Sequence, residues 1–132
     1  MNEEKKELLK SYIKSNASPI LVDFIDDEYI PDSVVLSANC TMAELNGHYD
    51  NTEFNPPEWL NKLEKNTQPI LVIDNIDSIP KKEQEKFIEI LKYRQVSTFE
   101  LPKNTIIIVT AEHINKNTIN EEVYSLVAHI KG

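Results

Sequence analysis

Apolar residues change their period several times along this chain, and each change marks an element. Residues 3 to 15 place Leu8, Leu9, Tyr12 and Ile13 on one face with Glu and Lys opposite, which predicts an amphipathic helix. Ser18-Pro19 stops it, and Ile20-Leu21-Val22 predicts a short strand. Asp23, Asp26, Asp27 and Glu28 follow, and Pro31-Asp32 turns the chain into a second strand, Val34-Val35-Leu36-Ser37-Ala38. Thr41 and Glu44 have the spacing of a capping box, opening a short helix that Asn46-Gly47 closes. Residues 47 to 56 are polar and rich in turn formers, and predict a loop. Asn55-Pro56-Pro57-Glu58 then predicts a helix start with a cap, prolines in the first turn and a carboxylate at the positive end. Trp59, Leu60 and Leu63 form the buried face of that helix.

The second half is more apolar. Residues 69 to 74 read as a strand buried on both faces, hence central and parallel. Pro80 opens a helix whose Gln84, Phe87, Ile88 and Leu91 share a stripe, and residues 95 to 101 alternate weakly, as a small hairpin or extended arm would. Thr105 to Thr110 is a second fully buried strand; a helix near Asn120 to Leu126 and a strand from Val127 to Ile130 complete the pattern. Strands alternating with helices predict an α/β fold: a three-layer αβα sandwich around a mostly parallel sheet of about five strands. No repeat or linker divides the chain, so residues 1–132 read as one domain.

Composition narrows the function classes. With 14 basic and 22 acidic residues the formal charge is −8, which opposes general nucleic-acid binding because phosphates demand a surplus of cations. Lys81-Lys82 is the one basic seed after the N-terminal segment. The acidity suits a solvated surface or recognition of a basic protein. No apolar run approaches the roughly 18 residues of a membrane span, and the N-terminus is too charged for a secretory signal. A single cysteine, Cys40, excludes an internal disulfide framework. A cytoplasmic location is the expectation.

The chemistry-bearing pattern is the strand Ile70-Leu71-Val72-Ile73-Asp74 followed by Asn75, Ile76-Asp77-Ser78-Ile79-Pro80 and a helix, which looks like the metal-holding strand of a P-loop ATPase. Only two glycines exist, Gly47 and Gly132, so no Gly-x-x-x-x-Gly-Lys-Ser/Thr loop can be written anywhere in the sequence. Such a loop needs glycines for its backbone N–H groups to converge on phosphate. From residue 70 onward, strand, helix, the Tyr93-Arg94-Gln95-Val96 stretch with Leu101-Pro102, and the strand Thr105 to Glu112 come in the order seen in AAA+ ATPases. The chain thus resembles that family, particularly MoxR-type ATPases and clamp-loader subunits. About half the chain carries the resemblance; the first 65 residues follow it by strand order alone.

The resemblance assigns Asp74 to the magnesium-holding position and Asn75 to that of the Glu that polarises the attacking water, and an amide cannot take that proton. The sensor position falls on Glu112 or is displaced to Thr110. Ser125-Leu126 stands where clamp loaders place an arginine finger, and Arg94, the sole arginine, lies in the connecting arm. Hydrolysis is therefore not expected, nor are catalytic residues, a cofactor or a metal. The implied role is a degenerate AAA+-like domain without the family's helical lid, a structural or regulatory module. Its partner would be a protein, within an AAA+ or replication/remodelling assembly, with neither nucleic acid nor membrane involved. If Asp74 and Asn75 are relics, Asn75→Glu should leave stability nearly unchanged.

Two alternatives use the same residues. In a receiver-like signalling domain, Asp26-Asp27 would help hold Mg²⁺ and Asp74 would be phosphorylated, with Thr110-Ala111 at the next strand end. In a split ATPase, another chain would supply the phosphate loop. Asp74 with Asp77 as a nuclease-like metal pair is weaker, and His48, His113 and His129 lack ligand spacing. The resemblance also implies a projecting arm, so Arg94, Val96, Phe99 and Leu101 are the candidate partner surface; the competing expectation is that Phe99 and Leu101 fold back on the sheet.

Overall fold

The computed structural model describes residues 19–23 and 32–130, together with 4, 7, 8, 10 and 11, which are helical. The rest of the helix expected over residues 3 to 15 lies outside the described residues, as do Asp26 and Asp27.

Five short apolar runs make one parallel sheet: β1 (Ile20–Val22), β2 (Val34–Ser37), β5 (Ile70–Asp74), β8 (Ile106–Thr110) and β9 (Ala128–Ile130). Their spatial order is β2-β5-β8-β1-β9, and every pair is parallel. The register sets residues in rows across the sheet; one row is Leu36, Ile73, Val109, Leu21 and His129. Alternate residues point to opposite faces. Leu21, Leu36, Leu71, Ile73, Ile107 and Val109 face the main core, while Ile20, Val22, Ile70, Val72, Ile106 and Ile108 are equally buried on the other. Burial on both faces explains why β1, β5 and β8 read as continuous apolar runs, while the edge strand β2 alternates buried and exposed residues. The fold is α/β, a central parallel sheet with flanking helices, as expected.

Helices and small hairpins cover the main core. The Thr41–Glu44 capping box forms: Glu44 N–H donates to Thr41 Oγ1 (3.1 Å), and Thr41 N–H donates to Glu44 Oε1 (3.0 Å). It opens α1 (Met42–Asn46), which ends at Gly47 with φ 96°. A side chain at Gly47 would put its Cβ 2.2 Å from the Asn55 carbonyl oxygen, so only glycine fits. α2 (Glu58–Glu64) buries Trp59, Leu60 and Leu63 and holds Trp59 by an Nε1–H bond to the Leu45 carbonyl (3.0 Å). Its start differs from expectation. Pro57 is the cap residue, no side chain caps the helix, and Asn55 belongs to a strand. After Pro80 the chain turns through a 3-10 segment (Glu83–Phe87) into α3 (Ile88–Tyr93), and α4 (Glu121–Leu126) is capped by Asn120 Oδ1.

The predicted loop over residues 47 to 56 is a hairpin. β3 (His48–Asp50) pairs antiparallel with β4 (Glu53–Asn55) around Asn51, whose φ of 58° suits asparagine. Tyr49 and Phe54 face each other across it, ring centroids 4.9 Å apart.

The arm is a hairpin too, but it does not project. β6 (Gln95–Val96) pairs with β7 (Phe99–Glu100). Val96 and Leu101 are core residues, 1% and 8% exposed. Phe99 lies against the core and stacks on Phe54 at 5.7 Å. Arg94 adopts left-handed φ,ψ at the end of α3, and its Nη2 donates to the Thr105 carbonyl (2.6 Å). Ser97 ties the tip down: its N–H donates to Glu89 and its Oγ to the Asn46 carbonyl. Of the expected partner surface, Val96 and Leu101 are buried and Arg94 and Phe99 half-buried, which agrees with the competing expectation that Phe99 and Leu101 fold back. With an aromatic and two aliphatic residues in seven positions, the arm buries itself against the sheet and the other hairpin.

Candidate functional site

In open α/β sheets, ligands bind beyond the carboxyl ends of the strands, where the strand order reverses. Here that end carries Asp23 after β1, Asp74 at the tip of β5 and Thr110 at the tip of β8. Asp74 and Thr110 share the sheet face opposite the main core. Parallel pairing of Ile73 with Val109 brings the next residues side by side, and Thr110 Oγ1 donates to Asp74 Oδ1 at 2.8 Å. Thr110 Oγ1 in turn accepts the Asn75 N–H (3.0 Å). Asn75 stands at φ 57°, ψ 53°, and its Nδ2 donates to Asp74 Oδ2 (3.3 Å). Both oxygens of Asp74 are therefore engaged within the chain.

Of Glu112 and Thr110, between which the expected sensor position was left open, Thr110 is the one bonded to Asp74. Glu112 is exposed, and its backbone serves a different contact. Asp77, which follows β5 in the 3-10 turn Ile76–Ser78, accepts the N–H groups of Glu112 (3.1 Å) and His113 (2.8 Å). Asp77 thereby clamps the turn after β5 to the turn after β8. It does not converge with Asp74 as a metal pair would. Among the described residues no three His, Cys, Asp or Glu side chains gather as a metal-binding group.

One structural polar residue was hidden in an apolar stripe. Gln84 is fully buried; its Nε2 donates to the carbonyls of Ile79 (3.2 Å) and Thr118 (2.8 Å), and its Oε1 accepts the Asn120 N–H (2.7 Å). Its place beside Phe87 and Leu91 was the available signal: an amide at a core position has to satisfy both ends. The histidines stay apart. His48 and His113 are exposed, while His129 sits edge-on to Tyr124 with centroids 4.1 Å apart. Lys81, the basic seed, spends its ammonium on the Lys116 carbonyl (2.7 Å). Cys40 is buried, and that burial pushes its thiol pKa up, away from reactivity.

The receiver alternative requires the strand order 2-1-3-4-5, in which strands one and three are neighbours. Numbering only the five parallel strands, the order here is 2-3-4-1-5, so β8 separates β1 from β5. The strands bearing Asp23 and Asp74 are then about 10 Å apart, two strand spacings, rather than adjacent. That geometry counts against a shared metal between them.

No protein-family model matches the chain, and no curated protein does either. Solved structures share its fold. NtrX from Brucella abortus in complex with ADP aligns over 98% of this chain and 35% of its own, at TM-score 0.61 and 15% identity. A second NtrX structure from the same organism gives TM-score 0.58 and 17% identity, over 99% of this chain and 36% of that one. A proposed ATPase from Cytophaga hutchinsonii aligns over 96% of this chain and 44% of its own, at TM-score 0.62 and 13% identity. The chain spans less than half the length of each. The fold is therefore AAA+-like, with a P-loop-NTPase-like core; identities this low establish the fold alone.

Proposed function

We propose that this chain is a non-catalytic AAA+-like domain that serves as a structural or regulatory protein-interaction module. The observation that carries this reading is the pair at the tip of β5, where Asp74 bonds to Thr110 and Asn75 and an amide stands at the position next to the carboxylate. Asn75 itself has no carboxylate with which to activate water, and the sequence has no glycine loop for the phosphates. With its hydrolytic parts absent, the domain offers surfaces, to be read by a protein within an AAA+ or remodelling assembly in the cytoplasm.

The split-ATPase reading has one observation behind it: an NtrX structure that includes this fold is in complex with ADP. Under it, a second chain supplies the loop and Asp74 opens to a metal. Phosphate release by wild type and by Asn75→Glu, alone and with candidate partners, separates the two. No release from either is expected; turnover by Asn75→Glu requires a phosphate site and rejects the non-catalytic reading.

A further inference from the structure

Asn46-Gly47 is the one Asn-Gly pair in the sequence. An asparagine before glycine is the readiest target for spontaneous deamidation, because glycine leaves its own backbone nitrogen unshielded by a side chain. The reaction closes a ring. The Gly47 backbone nitrogen gives up its proton and attacks Asn46 Cγ, and the side-chain nitrogen leaves as ammonia. Water then opens the succinimide to aspartate or isoaspartate. Glycine is fixed at this position, since φ is 96° and a Cβ would lie 2.2 Å from the Asn55 carbonyl oxygen.

The fold opposes each step of that ring closure. The Gly47 N–H donates to the Ala43 carbonyl (3.0 Å), which keeps the proton in place and turns the nitrogen back along the helix. The Asn46 carbonyl accepts the Ser97 hydroxyl (3.0 Å), and the Leu45 carbonyl accepts the Trp59 Nε1–H (3.0 Å). Ser97 is itself anchored through its N–H to Glu89 Oε1 (3.0 Å). The last turn of α1 is thus pinned by its own backbone, by α2 and by the β6–β7 hairpin. Ring closure needs the peptide between 46 and 47 to rotate until its nitrogen faces the Asn46 side chain, and these bonds forbid that rotation while they last.

We propose that Asn46 is a deamidation site gated by this junction: it stays closed while Ala43, Trp59 and Ser97 hold the turn, and it reacts when the junction opens. The product then marks chains that have opened, and the mark is one-way. Aspartate at 46 puts a negative charge at the carbonyl end of α1, where it is unfavourable. Isoaspartate threads an extra methylene into the main chain beside Gly47, where the Asn55 backbone leaves no slack. Either product weakens the closure that delayed it. The inference goes beyond the protein-interaction reading and does not depend on it.

Wild-type protein is incubated at neutral pH, folded and in denaturing urea, and each asparagine is followed by peptide mass and by enzymatic methylation of isoaspartate. In denaturing urea Asn46 should react ahead of every other asparagine. In the folded chain it should react at least about tenfold more slowly, as a pair that reacts only from its open form must. Across urea concentrations below the unfolding transition, its rate should rise in step with exchange of the Gly47 N–H. Ser97→Ala should quicken both in the folded chain by about fivefold, the effect of one lost hydrogen bond, and leave the rate in denaturing urea unchanged. The wild-type urea series stands even where Ser97→Ala fails to fold. Equal Asn46 rates in the folded and unfolded chain overturn the proposal. So does Gly47 exchange that quickens without faster deamidation, or another asparagine that reacts first in denaturing urea.

Discussion

The tip of β5 and the edge of β2 lie one strand apart and differ in what they leave undone. At the tip, Asp74, Asn75 and Thr110 close on one another, and Asp77 closes the neighbouring turns. At the edge, among the described residues, β2 pairs with β5 alone and Val35 is exposed. An unfilled polar group costs free energy where water cannot reach it, and at the tip Asp74, Thr110 and the Asn75 N–H each have a partner within the chain.

Variants that open the closed region test this contrast, beginning with the largest effect. The pair Arg94→Ala and Phe99→Ala should cost about 3 kcal/mol together and lower Tm by roughly 10 °C, because the arm is core and Arg94 serves the Thr105 carbonyl. Unchanged Tm with lost partner capture would restore the arm as an interface. Gln84→Leu should cost about 2 to 3 kcal/mol in urea unfolding, since three buried backbone groups lose their partner. Asp77→Ala should cost about 2 kcal/mol by freeing two N–H groups, and Asp74→Ala about 1 to 2 kcal/mol by stranding Thr110. If Asp74→Ala were instead stabilising, as removal of a strained functional carboxylate often is, the tip would be a working site.

For Asn75→Glu the backbone geometry predicts more than the sequence alone did. Its stability was to be nearly unchanged, but Asn75 holds φ 57°, a conformation that asparagine tolerates and most residues do not. Glutamate there should cost about 1 kcal/mol. The smallest effect concerns Glu44. Its folded pKa is lowered, so its contribution is present above the unfolded carboxylate pKa and is lost as pH falls through the folded value. Glu44→Gln should lower stability slightly at neutral pH, leave it nearly unchanged below the folded pKa, and so flatten the acid limb of the stability curve.

β1, β5 and β8 were legible because burial on both faces writes itself as an unbroken apolar run, and the capping box because Thr41 and Glu44 act locally. The hairpin at 48 to 55 was not, since three-residue strands carry little alternation and the Tyr49–Phe54–Phe99 contacts join segments far apart in sequence. Asp74 was readable as a strand end; its engagement by Thr110 depends on strand order, which no local pattern states. The same holds for Asp77, whose partners lie 35 and 36 residues away.

Calorimetric titration of the wild-type protein with Mg-ATP and Mg-ADP addresses the central claim most directly. With no phosphate loop in the sequence, no saturable heat is expected up to millimolar nucleotide. A micromolar dissociation constant for either nucleotide would contradict the account.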